Sequence, residues 1–190
     1  MKGKIQNIVD DQINKLTKCI EALKDLEIKT IDIDSTYLRE NYRKAKTFSK
    51  CVKFKDIYNS LPKKNPVLYW FTFDTEKLND EMLLQIFSEI REKTKGRKLS
   101  ELSKTLRLSK GTLYVGKVKK DFHYRFVNHL GHSVNNDTAS LQLTYWYDAL
   151  KYGSLKLNYI VLEEDMKTLI SVLEIELAKE LKPIIGSHNN

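Results

Sequence analysis

Hydrophobic positions in this chain follow two regimes that change near residue 65. Between residues 2 and 27, Ile5, Ile8, Val9, Ile13, Leu16, Ile20, Leu23 and Leu26 recur at steps of three and four, with lysines and acids between them. That spacing predicts an amphipathic helix. Asp34-Ser35 supplies a cap for a second helix through Tyr37, Leu38, Tyr42 and Ala45, because a short side-chain oxygen accepts a first-turn N–H. A third, short helix is expected around Phe54 to Leu61. Pro62-Lys63-Lys64-Asn65-Pro66 then breaks the pattern and marks a boundary.

Beyond it, Val67-Leu68-Tyr69-Trp70-Phe71-Thr72-Phe73 is aromatic and β-branched and reads as a strand. Leu78 to Ile90 is amphipathic, with Met82, Leu83, Ile86, Phe87 and Ile90 on one side, and residues 93–98 form a basic loop. Leu113 to Val118 predicts a second strand, and Asp121 to Leu130 a helix ended by Gly131. Thr138 is placed to cap a helix through Tyr147, in which Leu143 and Trp146 pack the core and Tyr147 is exposed. Leu155 to Leu162 alternates as a third strand, and Asp165 opens a last helix that runs to Lys182 before Pro183. The plan is α+β: a small three-stranded sheet flanked by helices over residues 65–190, with an insert at about 75–110. Residues 1–64 form a helical N-terminal extension.

Composition narrows the partners without choosing one. Thirty-three lysines and arginines against 25 acids give a net charge of +8, which suits a polyanion and equally a lysine-rich surface without a target. The 190 residues allow one well-buried core. Cys19 and Cys51 match no metal spacing and read as thiols of a reducing compartment. No apolar run approaches the roughly 20 residues that span a bilayer, and MKGKIQNIVDD is too acidic and polar for a signal peptide. A cytoplasmic protein without a membrane partner is expected.

The residues suited to chemistry cluster between Gly111 and Leu130. Tyr114, Lys117, Arg125 and His129 follow one another across a strand and a helix, and Arg125 and His129, four apart, share a helix face. On the last helix Glu174 lies beside a stripe of Ile170, Leu173, Leu177 and Leu181, where a carboxylate is costly unless paired or bound to a cation. A competing pattern at 99–114 is similar to a helix-turn-helix, with Ser109 capping a recognition helix that carries Lys110, Thr112 and Tyr114. The residues that follow, Val115-Gly116-Lys117-Val118, oppose a helix there.

Taken in order, Val67-Leu68-Tyr69, Tyr114-Val115-Gly116, Arg125, His129 and Glu174, nine residues before Pro183, resemble the motifs of the GIY-YIG nucleases. The resemblance covers residues 66 to about 187. It implies a metal-dependent endonuclease that hydrolyses DNA phosphodiesters, with Mg²⁺ or Mn²⁺ held by Glu174 and Arg125 on the scissile phosphate. Tyr69 or Tyr114 would act as general base or orient the water, its hydroxyl acidified by cations such as Lys117. His129 would assist proton transfer or position Tyr69. Lys95, Arg97, Lys98, Lys119 and Lys120 are the expected DNA contacts, and the N-terminal helices pair in a homodimer or pack on their own domain. Two departures stand out: 44 residues separate Tyr69 from Tyr114, and Gly186-Ser187-His188 lies where the family often has an asparagine. The alternative is a non-catalytic DNA-binding or partner-binding protein that retains the fold.

Overall fold

Four short stretches among the described residues pair to make the sheet that carries Tyr69, Tyr114 and Lys117. In a computed structural model, residues 2–24, 26–33, 38, 52–73, 79–94, 100, 111–132 and 139–186 are described. The strands are β1 (Lys29–Asp32), β2 (Val67–Phe73), β3 (Thr112–Val118) and β4 (Leu155–Val161), all antiparallel in the order β1-β4-β2-β3. Among the described residues the sheet therefore has four strands where three were expected. The added strand comes from the stretch read as an all-helical front. β1 carries a polar ladder into the sheet: Thr30 Oγ1 donates to Asn158 Oδ1 at 3.0 Å, and Asn158 Nδ2 donates to Thr72 Oγ1 at 3.0 Å.

Among the described residues the helices include α1 (Lys2–Leu23), α2 (Val52–Ser60), α3 (Asp80–Lys93), α4 (Phe122–Leu130), α5 (Leu143–Trp146), α6 (Ala149–Tyr152) and α7 (Ile170–Leu181), with a 3₁₀ turn at Glu164–Thr168 before the last. The helix expected to reach Tyr147 is two short pieces. The first ends at its C-cap Tyr147, and Asp148 starts the second, its side chain accepting from Leu150 N–H at 2.9 Å; Tyr147, expected outside, is buried with its hydroxyl donating to Gly153 O. The expected cap Thr138 and the helix through Tyr37, Tyr42 and Ala45 lie outside the described residues. Thr112 and Tyr114 lie on β3, which removes the recognition helix of the helix-turn-helix reading. The β-branched residues around Gly116 pair with β2 instead.

One core joins the two sides of the Pro62–Pro66 turn. Ile33, Phe54 and Leu61 belong to the same buried cluster as Tyr69, Phe71, Phe122, Phe126 and Trp146. The turn itself is fastened to the start of α4, since Asp121 N–H donates to Lys63 O at 2.7 Å and Phe122 N–H to Pro62 O at 3.2 Å. α1 does not bury its seam on this core: Ile5, Ile8, Val9, Ile13, Leu16 and Ile20 are all exposed. Among the described residues no helix is long and apolar enough to cross a membrane.

Candidate active site

The pairing of β2 with β3 sets Tyr69 directly opposite Gly116 and Phe71 opposite Tyr114. Side chains alternate along a strand, so Tyr69, Phe71 and Tyr114 project from one face of the sheet, and the Tyr69 and Tyr114 ring centroids are 6.0 Å apart. Gly116 is what lets them do so. A Cβ built there would lie 2.5 Å from Tyr114 Cε1, 2.6 Å from the Tyr69 hydroxyl oxygen and 2.7 Å from Tyr69 Cζ. The space a side chain would occupy is filled by the two phenol rings.

α4 covers this face and delivers Arg125 and His129 one turn apart. Gly131, at φ 91°, ends the helix in the left-handed conformation that suits glycine. Arg125 Nε donates to the Tyr69 hydroxyl oxygen at 2.9 Å, one terminal nitrogen donates to Tyr114 at 3.0 Å, and the other to Ala139 O at 2.8 Å. A single planar guanidinium thus joins both phenols and ties them to a third segment. His129 Nδ1 accepts from Leu141 N–H at 3.3 Å, which leaves the ring proton on Nε2. That nitrogen lies 2.9 Å from the Tyr69 oxygen and therefore donates to it.

Burial decides the protonation of this group. Tyr69 is wholly buried, and its pKa is raised well above 10, by burial first and by Tyr114 second, against the opposing pull of Arg125. The expectation of a cation-acidified hydroxyl therefore fails for Tyr69. Losing water costs the phenolate more than the guanidinium returns. His129 is pushed well below its ordinary value, by burial and then by the Arg125 cation, so it is neutral.

Folded and unfolded states thus differ in proton uptake. An unfolded histidine takes a proton near pH 6.5 and folded His129 does not, so below that pH the unfolded state binds more protons and stability falls with pH. The contribution is complete above about pH 6.5 and is lost as pH falls toward the depressed folded value. His123, lowered mainly by burial, acts in the same sense. In urea melts between pH 7 and 5, His129→Gln is expected to flatten the loss of stability by up to about one proton relative to the wild type. Equal slopes would remove the neutral, buried imidazole.

Glu174 and Lys117 form a second group. α7 packs against β3 and β2, and Glu174, expected beside the apolar stripe, lies on it: Ile170, Glu174 and Ala178 are buried, while Leu173, Leu177 and Leu181 are half-buried. Its carboxylate is compensated by an ion pair and hydrogen bond with Lys117 Nζ. Lys117 follows Gly116, so strand alternation puts this pair on the face opposite Tyr69 and Tyr114. The predicted residues therefore assemble as two sets sharing β3, an edge strand, rather than as one ring of side chains. At its start β3 is covered by the C-terminal segment, where Ile184 N–H donates to Thr112 O and Ile185 N–H to Leu113 O. Among the described residues no backbone partner covers its outer edge beyond Tyr114.

Comparison with protein-family models, with curated proteins and with solved structures finds no match for this chain.

Of the expected DNA contacts, Lys119 and Lys120 are exposed in the turn after β3, while Lys95, Arg97 and Lys98 lie outside the described residues. No group of three or more His, Cys, Asp or Glu suited to a metal occurs among the described residues. Sequence reading missed the 139–142 segment, whose Ala139 carbonyl and Leu141 N–H orient Arg125 and His129. These are backbone groups, and no residue pattern announces them.

Proposed function

We propose that the chain is a metal-dependent endonuclease of the GIY-YIG kind that hydrolyses phosphodiester bonds in DNA. The observation that carries this reading is the Arg125 guanidinium spanning the Tyr69 and Tyr114 oxygens above Gly116. A guanidinium has five N–H donors, and the phenols and Ala139 leave some of them for a phosphate oxygen. Preorganised donors of this kind stabilise the charge that develops as a phosphodiester is attacked.

Tyr114, 8% exposed where Tyr69 is fully buried, would be the phenol that meets the attacking water. Tyr69 keeps its proton and, with neutral His129, holds Arg125 in place. One buried carboxylate is a sparse donor set, but it fits Mg²⁺ or Mn²⁺, since Mg²⁺ retains waters and takes substrate phosphate oxygens as ligands. Glu174 would hold that cation at the β3 edge, where Lys117 now neutralises it. The ion would supply further charge neutralisation at the phosphate. A strand of DNA lying across the open part of the β3 edge would reach both sets of residues. The exposed α1 seam leaves a homodimer as the proposed oligomer.

Supercoiled plasmid incubated with Mg²⁺ or Mn²⁺ is expected to be nicked by the wild type. Glu174→Gln, which keeps the shape but loses the charge, should lower the rate by about 100-fold or more. Absence of cleavage by wild type across DNA and RNA substrates would leave the non-catalytic binding protein as the better account.

A further inference from the structure

The Pro62–Pro66 turn was informative in the sequence only as a break, but the fold gives it a neighbour. Its backbone is stapled to the start of α4 by the bonds from Asp121 and Phe122 to Lys63 O and Pro62 O. The turn after β3, with Lys119 and Lys120, leads directly into the same point. Lys63, Lys64, Lys119 and Lys120 are all exposed, so two turns far apart in sequence bring four lysines to one corner of the fold.

An aromatic surface adjoins them. Tyr124, in the first turn of α4, is 60% exposed, its ring centroid 4.2 Å from that of His123 and 6.4 Å from that of Tyr58. Tyr58 in turn meets His123 at 5.0 Å. Asp121, at the start of α4, is half-buried. An exposed tyrosine braced by two other rings next to clustered lysines is the combination that single-stranded nucleic acid uses, with phosphates on the cations and a base on the ring. A duplex, whose bases are stacked on one another, has no face to offer Tyr124.

We infer that this corner binds a single-stranded DNA segment, with its backbone along Lys63, Lys64, Lys119 and Lys120 and an unpaired base on Tyr124. The inference deepens the nuclease reading by naming unpaired DNA as the substrate feature recognised. Arg125 is the next residue after Tyr124 and turns inward to the phenols, so this corner and the candidate active site share α4.

Binding and cleavage are separable in the test. A fluorescein-labelled poly-dT oligonucleotide and a duplex of equal length are titrated with the full chain in EDTA, where metal-dependent cutting is silent, and the series is repeated across salt concentrations. The wild type is expected to prefer the single strand. Replacing the four lysines with alanine should lower its affinity at least 10-fold and flatten the salt dependence by about 0.7 for each phosphate that is no longer neutralised. Tyr124→Ala should weaken single-strand binding by roughly 10-fold while Tyr124→Phe retains it. These side chains are exposed, and unchanged thermal melts confirm that each variant folds. Unaltered binding by the lysine variant overturns the site. Indifference to Tyr124→Ala, or a preference for duplex, overturns the single-strand assignment and leaves an undirected basic patch. Loss of the nuclease reading, by contrast, appears only as a failure to cut in Mg²⁺ with binding intact.

Discussion

Arg125→Ala is expected to abolish plasmid cleavage, with a loss of at least about 100-fold, the scale set by removing one preorganised donor from an active site. Arg125→Lys is expected to fail nearly as badly, and that comparison carries the information. A lysine retains the positive charge but has one nitrogen, and it cannot reach the Tyr69 oxygen, the Tyr114 oxygen and the Ala139 carbonyl from the positions that the planar fork occupies. If the role of Arg125 were charge alone, lysine would restore most of the activity. Alanine also strips a partner from the wholly buried Tyr69 hydroxyl, a loss of about 1–3 kcal/mol, so each variant's thermal melt is to be read beside its rate. A rate loss far larger than the stability loss supports the catalytic reading. Wild-type cleavage by Arg125→Lys would refute it.

The second large effect is expected from the smallest change, Gly116→Ala. The added methyl would meet Tyr114 Cε1 at 2.5 Å and the Tyr69 oxygen at 2.6 Å. Neither ring can step aside cheaply. The Tyr69 ring centroid is 5.0 Å from that of Phe122, 5.5 Å from that of His129 and 6.2 Å from that of Phe71, all three residues buried. Overpacking of this kind costs about 1–3 kcal/mol, which in a chain of this size lowers the melting temperature by roughly 3–10 °C. Relief must come from moving the phenols, so the hydroxyls leave Arg125 and cleavage falls by more than the stability change accounts for. Val115→Ala, one residue away on the opposite face, is the control. It removes buried volume without touching the phenols, so its cost should appear in stability and far less in rate. Wild-type stability and activity in Gly116→Ala would show that the rings do not need the glycine.

How much of this could be read from residues alone differs by element. β2, β3 and β4 were legible because aromatic and β-branched residues make their pattern self-announcing. β1 was not: Lys29-Thr30-Ile31-Asp32 is four residues with one apolar side chain, too short and too polar a run to stand out from its helical surroundings. Arg125 and His129 were legible as a pair, since helical spacing alone puts them on one face. Their protonation was not, because it depends on how deeply Phe71, the two phenols and the 139–142 segment enclose them. Glu174 shows the same limit. By composition the leucines of α7 should face inward, but Lys117 on the neighbouring strand makes burial of the carboxylate tolerable. The division of the candidate residues between two faces of β3 follows from the parity of one residue, Lys117 after Gly116, once the register is known.

The strand order also fixes a timetable for assembly. β1 lies at the margin of the sheet and pairs with β4, and Thr30 and Asn158 are 128 positions apart. At ordinary translation speeds the ribosome needs roughly 10 s to make the intervening chain. Through that interval β1 waits, and the apolar β2 is exposed on the side that β4 will cover. Tyr69 and Gly116 can meet earlier, because β2 and β3 are both synthesised before β4. The phenol half of the site is thus expected to form before the carboxylate half, which must wait for α7. Such long-range closure predicts slow refolding and a nascent chain prone to aggregation, so the yield of native protein should rise when synthesis is slowed by cooling.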